Sequence, residues 1–352
     1  MLLPILAVIY FYSVTSFLPN HFVFRKKPLT INSLYSAFNE RRWISPEGLN
    51  ISILESNFAP TQSPALKKPI LFVHGSFHSA WCFENFINFF SNLGHKCYAV
   101  NLRGTSPTGL PKGNWSSTAV KSIKVEEHVR DLSFVIQNIY SQDKERPIVV
   151  SHSFGGLLLM KLLESNELRE MIFGAVFVCS IPPSGNGAMS KRFLFKTPLL
   201  ALKIIWAFVF RGVTTNSKLC REIFFDDSVS DDEIGRYMVK FKEDSTITVD
   251  FASLAGVLPS VTSMSSDGAA TWLQASPFLR PFRLVFGAGE DRIVDWEGVQ
   301  ETARYLGVQP TLLPTMCHDV MLSANWQEAA RAIASKMDKA VHSSDRNEIN
   351  SG

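Results

Sequence analysis

The residues that could do chemistry in this chain are a serine, an acid and a histidine, in that order. Ser153 sits in Pro147-Ile-Val-Val-Ser-His-Ser-Phe-Gly-Gly156, which reads as a buried strand over residues 148–150, an abrupt turn and an apolar helix beginning at Gly155. Small-x-Ser-x-Gly between a strand and a helix is the pattern that holds a serine in a tight turn with its hydroxyl projecting. The first small residue is usually glycine and here is Ser151. That position chiefly asks for a side chain small enough to let helix and strand approach. A hydroxyl is a weak nucleophile at neutral pH, so it needs a base within hydrogen-bond reach and a carboxylate to orient that base.

The chain has eight histidines. His318 lies in the loop Thr315-Met-Cys-His-Asp-Val-Met-Leu322, after the last short strand. His78 is its rival, because it lies near the end of the strand over residues 69–73. The chain order serine, acid, histidine favours His318. His74 and His152 flank glycine turns and read as supports for those loops. His95 and His128 lie beside or in ordinary helices and read as solvent-exposed, and His21 and His342 fall outside the folded body. The acid is sought after the penultimate strand, where Phe286-Gly-Ala-Gly-Glu-Asp-Arg-Ile-Val-Asp295 offers Glu290, Asp291 and Asp295. Asp291 fits best, four residues past Gly287 and just before Ile293 and Val294. Asp319, beside His318, is read as having no part in the chemistry. Attack on a carbonyl also needs donors for the oxygen that becomes negative. The backbone N–H groups of Phe154 and Ser76 are the candidates. None of this requires a metal or a cofactor.

These residues need a scaffold that delivers strand ends to one place. Residues 49–55 alternate apolar and polar, as a half-buried strand does. Residues 69–73 are a continuous apolar run, as in a strand covered on both faces, and 97–102, 148–150, 172–179 and 283–287 also read as strands. Helical patterns fall between them, at 81–93, 125–139, 296–306 and 325–339. Such alternation implies a mostly parallel sheet with helices on both faces. It breaks after Gly187 and resumes near residue 280. The expected organisation is therefore a core at 43–187 and 280–340, a helical cap at 188–279 over the carboxyl ends of the strands, and a disordered polar tail at 342–352. Within the cap, Thr197-Pro198 opens a very apolar helix reaching Phe210, about 20 Å at 1.5 Å per residue and too short to span a bilayer. Its apolar surface would face the cap interior, the active site or a membrane.

Composition narrows the classes. Residues 1–39 hold three basic residues and no acid, which leaves 32 basic against 32 acidic in the rest of the 352. A neutral body without a basic stripe argues against a nucleic-acid partner. Five scattered cysteines, with no CxxC pair, fit neither a disulfide framework nor a zinc site. Residues 2–12 form an apolar run and 17–39 an acid-free, basic and hydroxyl-rich stretch, so 1–39 reads as a targeting or anchor segment. Ser16-Phe-Leu-Pro19 resembles the cleavage context of bipartite plastid presequences. Plastid routing is one expectation, and an endomembrane anchor or secretion is the other. Asn114-Trp-Ser116 is a glycosylation sequon.

Taken together, His74-Gly75, Ser151-His-Ser-Phe-Gly155, Asp291 and His318 resemble the α/β-hydrolase fold over about residues 43–340, which implies a sheet of the eight-stranded type. Val73-His-Gly-Ser-Phe-His-Ser-Ala-Trp-Cys82 with Gly94-His-Lys96 is similar to the plant methylesterase and hydroxynitrile lyase branch. The resemblance implies a serine hydrolase of the carboxylesterase or lipase kind. Its substrate would be a small-molecule or lipid ester, cleaved through Ser153, His318 and Asp291 by way of an acyl-enzyme. A lyase or C–C bond hydrolase on the same residues, and a ligand receptor without turnover, are the alternatives. Peripheral membrane contact, through the cap or the N-terminal segment, is a further expectation.

Overall fold

A computed structural model describes residues 38–57, 67–109, 122–244, 248–249, 251–274 and 281–351. The apolar run, the presequence-like stretch up to residue 37 and the Asn114 sequon lie outside the described residues. The first element is β1 (Phe38–Ile44), an edge strand paired antiparallel with β2 (Asn50–Ser56). The folded body, expected from residue 43, extends back at least to Phe38 through β1. The hairpin closes through Ser45, whose carbonyl accepts from Gly48 N–H, with Gly48 at φ +76°. That backbone conformation favours glycine.

The elements that follow are β3 (Lys67–Val73), α1 (Glu84–Asn92), β4 (His95–Val100), β5 (Ser122–Ile123), α2 (Val125–Asp143), β6 (Ile148–His152), α3 (Phe154–Leu162), α4 (Asn166–Glu170) and β7 (Gly174–Val178). Six helices then intervene: α5 (Asn186–Lys196), α6 (Pro198–Phe208), α7 (Ser217–Phe224), α8 (Asp231–Asp244), α9 (Phe251–Val257) and α10 (Pro259–Thr262), with β8 (Thr248–Val249) among them. The chain ends with β9 (Phe282–Ala288), α11 (Trp296–Tyr305), β10 (Pro310–Leu313) and α12 (Trp326–Ser351). That last helix continues through the polar stretch expected to be a disordered tail. No glycine or proline interrupts it before Gly352.

Eight strands form one sheet in the order β1-β2-β4-β3-β6-β7-β9-β10. From β4 to β10 every pairing is parallel, and β1 and β2 are antiparallel at one edge. Helices α1 and α12 pack on each other, as do α2 and α3. The strands between them have both faces covered and are buried along their length, hence their unbroken Val, Ile and Phe runs. The core includes Phe72, Phe83, Phe86 and Phe90, whose ring centroids lie 5.0–6.3 Å apart. All five cysteines are buried free thiols.

The helical block between β7 and β9 is joined to the body by polar ties. Arg192 of α5 forms a two-pronged bond to Asp295 at 2.5 and 2.6 Å. Asp244 at the end of α8 accepts from Trp81 Nε1 (2.9 Å) and Ser106 N–H (3.1 Å). Strand β8 pairs with β5 in a separate two-stranded sheet. Ser230 and Glu233 cap α8 reciprocally: Glu233 N–H donates to Ser230 Oγ, and Ser230 N–H donates to Glu233 Oε2. Thr197 makes no side-chain cap for α6; its hydroxyl turns back to the Phe193 carbonyl.

Candidate active site

The candidate residues all lie at or just beyond the carboxyl ends of parallel strands: His74 to His78 after β3, Ser153 after β6, Asp291 after β9 and His318 after β10. Ser153 has φ +51° and ψ −119°, a conformation L-residues rarely adopt. Its surroundings over-determine that geometry. Ser153 N–H donates to the Val178 carbonyl at 3.1 Å, and its own carbonyl accepts from Gly156 and Ile181 N–H. A β-carbon on Gly155 would stand 2.6 Å from Val73 O and 2.7 Å from His74 O, so only glycine lets α3 start this close to β3. A β-carbon on Gly75 would stand 2.7 Å from Ser153 Cβ, which places the loop after β3 directly against the serine. Ser151 is fully buried and its hydroxyl donates to the Val176 carbonyl at 3.0 Å, so it ties β6 to β7 as well as being small.

Asp291 and His318 are in contact. His318 Nδ1 is 2.8 Å from Asp291 Oδ2, and both side chains are almost wholly buried. The other carboxylate oxygen accepts from Ile293 and Val294 N–H at 2.8 and 2.9 Å, so Asp291 is aimed by its own loop. A carboxylate only accepts, so Nδ1 carries the hydrogen and Nε2 is left with its lone pair. The serine strand and the histidine loop are tied too: His152 Nε2 lies 3.0 Å from the His318 carbonyl oxygen, and the two rings are 4.7 Å apart. Asp295 is engaged otherwise, capping α11 and holding Arg192. Phe154 is the first residue of α3, so its N–H has no acceptor within the helix. Ser76 follows Gly75, whose position is directly against Ser153.

His74 and His152 take the supporting roles expected. His74 Nδ1 donates to the Gly75 carbonyl and Nε2 accepts from Leu102 N–H. Burial pushes its pKa down to about 3, so the ring is neutral. Burial likewise drives the His152 pKa well down. His95 and His128 correct the sequence reading, since both are buried rather than exposed. His128 lies on the same face of α2 as Val125 and Leu132, with its ring 5.8 Å from Phe154. His95 begins β4 and bonds the Lys68 carbonyl.

Asp319 was missed. It is buried and pairs with His78: Nε2 to Oδ2 is 2.9 Å. Its signal in the sequence is a single carboxylate amid Met316, Cys317, Val320, Met321 and Leu322. The cap closes an aromatic wall over this region. Phe208 packs on Phe77, and Phe224 packs on both His78 and His318. Ser153 is only 7% exposed beneath it. A cleft of about 400 Å³ opens elsewhere, between α7, the start of α8 and Glu290, and reaches Cys317 without including Ser153. Among the described residues, metal-ligating atoms gather in two buried sets, His152–His318–Asp319 and Cys179–Asp291–His318. In the second, Asp291 and His318 already bond each other.

Strand order, a serine in a strained strand-to-helix turn and an acid–histidine pair beyond β9 and β10 define an α/β hydrolase. The family described as the alpha/beta hydrolase family matches residues 70–332, and the chain belongs to it. Among curated proteins it is similar to the carbendazim hydrolyzing esterase of Nocardioides sp., 25% identical over 120 residues, which is 34% of this chain and 44% of that one. It is also similar to methylesterase 1 of Arabidopsis thaliana, 29% identical over 118 residues, 33% and 41% of the two chains. These matches thus span less than half the length of those relatives. Among solved structures, an esterase from Exiguobacterium antarcticum superposes with a TM-score of 0.56 at 14% identity, covering 84% of this chain and 98% of its own. A haloalkane dehalogenase from Bradyrhizobium elkanii gives 0.57 at 15%, covering 89% and 99%. At that identity the likeness is one of fold.

Proposed function

We propose that this chain is a serine esterase acting on small or lipophilic esters. The observation that carries the reading is the buried Asp291–His318 bond, tied through His152 to the strand that ends in Ser153. Ser153 Oγ attacks the ester carbonyl while His318 Nε2 takes its proton. Asp291 fixes the tautomer that leaves Nε2 free and stabilises the imidazolium that forms. The Ser76 and Phe154 N–H groups receive the developing oxyanion; loss of one such donor typically raises the barrier by about 2.7–4 kcal/mol. His318 then returns the proton to the leaving alcohol. Water, deprotonated by the same nitrogen, attacks the acyl-serine and releases the acid. The esterase and methylesterase names of the curated relatives support an ester as the bond cleaved. The linked rings of Phe77, Phe208 and Phe224, the last against His318, support a lipophilic acyl or alcohol group.

The cap supports a lipid surface as the partner from which such a substrate would be drawn. Phe195 near the end of α5, Leu199, Leu202 and Trp206 on α6, and Val209 and Phe210 just after it are exposed, from 45% at Trp206 to 81% at Phe195. Residues 186–211 hold five basic residues and no acid, which suits anionic headgroups. Among the described residues no helix is long and apolar enough to cross a membrane.

A fluorophosphonate probe tests the catalytic reading. The wild-type chain should be labelled once, at Ser153, and Ser153→Ala should not be. Labelling that survives Ser153→Ala, or its absence in the wild type, refutes a serine esterase.

A further inference from the structure

Beside the Asp291–His318 pair lies a second buried histidine–carboxylate pair with a different geometry. His78 Nδ1 is 2.8 Å from the Ser76 carbonyl oxygen, and Nε2 is 2.9 Å from Asp319 Oδ2. Both partners only accept. A ring whose two nitrogens each face an acceptor is best satisfied with hydrogen on both, and against the pull of burial the Asp319 charge raises the His78 pKa accordingly. Both residues are 1% exposed. By contrast, His318 has a carboxylate on one nitrogen and can leave the other free to accept a proton.

We propose that His78 is a positioning residue for the esterase reaction, clamping the turn that presents the Ser76 N–H to the loop that carries His318. The inference rests on the esterase reading. The two loops leave the ends of different strands, β3 and β10, and the His78–Asp319 bond joins them directly across 241 residues of sequence. At one end the clamp holds the carbonyl of Ser76, just before Phe77, whose φ is +66°. At the other end it fixes the residue next to the base. The backbone there is pinned from two more sides: His152 bonds the His318 carbonyl, and Asp319 N–H donates to the Phe224 carbonyl of the cap. Asp319 Oδ1 has no hydrogen-bond partner among the described residues, so the carboxylate depends on His78.

Every group facing the ring favours or permits the cation. Asp319 approaches from the His318 loop and Asp244 from the end of α8. His152 from β6 and His74 after β3 are kept neutral by burial. The Cys82 thiol is held protonated by burial and by Asp319 and Asp244. Among the described residues, the rings of Trp81, Phe224 and Phe241 also lie 4.8–5.9 Å away. Burial pulls the His78 pKa down, and the Asp319 charge with the two hydrogen bonds overcomes it and raises the pKa above the ordinary value.

The test is Asp319→Asn in the full chain, with a p-nitrophenyl butyrate assay and the fluorophosphonate probe. The substitution keeps the shape and removes the charge. Misplaced donors should lower kcat roughly 10- to 100-fold, with KM changed by no more than about twofold. Phosphonate labelling should slow in proportion. The alkaline limb of the kcat profile should move to lower pH, because His78 loses the charge that keeps it protonated. An unchanged kcat and an unmoved limb in a folded variant overturn the clamp. Nitrogen NMR of the wild-type chain labelled at histidine gives an independent reading: both His78 nitrogens should be protonated at neutral pH, and a neutral ring overturns the proposal whether or not the variant folds. If the wild-type chain is not labelled at Ser153, the esterase reading itself fails. If it is labelled and Asp319→Asn behaves as wild type, only the clamp fails.

Discussion

Four histidines meet around Ser153, and what each does follows from what its two nitrogens face. His74 sees a carbonyl and an N–H and is neutral; His152 donates to a carbonyl; His78 sees two acceptors; His318 sees one carboxylate. Under the proposed mechanism, Asp291→Asn turns an amide N–H toward Nδ1 and forces the wrong tautomer, so kcat should fall about 10,000-fold while the fold survives. Ser153→Ala should cost about a million-fold. Ser153→Gly should be as inactive but more stable than Ser153→Ala by about 1 kcal/mol, because glycine relieves the positive φ. Urea denaturation of the two variants checks this. The raised pKa of His78 also fixes a direction for stability. A group whose folded pKa lies above its unfolded value contributes fully below the unfolded pKa, and that contribution is lost as pH rises through the folded value. The melting temperature should therefore decline on the alkaline side, and Asp319→Asn should flatten that decline.

Among the elements, the serine turn was the most legible part of the sequence because it is local. A strand, a serine and two glycines occur within ten residues, and the backbone contacts of Gly155 explain why that glycine is required. The Asp291 loop is similarly short, its carboxylate being aimed by N–H groups two and three residues on. The His78–Asp319 pair was illegible because its halves are joined only by the sheet order. His128 was misread because one histidine on an otherwise apolar helix face carries no mark of its burial. Gly155→Ala should destabilise by about 1–3 kcal/mol through the clash with the Val73 and His74 carbonyls, measurable as a lower urea midpoint at unchanged slope. For the outward face of α6, the chain should float with phosphatidylcholine–phosphatidylserine vesicles, and replacing Leu199 and Trp206 by aspartate should abolish this. A concentration-dependent dimer without flotation would instead assign that face to a second copy of the chain.

At the scale of the molecule, alternating apolar strands were enough to expect a parallel sheet with helices on both faces, but not its edge strand. β1 is mostly exposed and holds one apolar residue at each end, Phe38 and Ile44, with Trp43 between, so its sequence lacks the pattern of a core strand. The cap's ties were also hidden, because they join segments far apart in sequence through a few polar contacts and one short strand pairing. Strand β8 reaches out of the cap to pair with β5, and Asp244 bonds Ser106 and Trp81. The cap is therefore stitched to two segments of the core that precede the serine by tens of residues. It is not a detachable cassette. Grafting residues 186–274 onto another hydrolase core would lose both anchors unless the segments around Trp81 and from Ser106 to Ile123 travelled with it. Exchange of substrate range between such proteins should then proceed by joint replacement of two non-contiguous pieces.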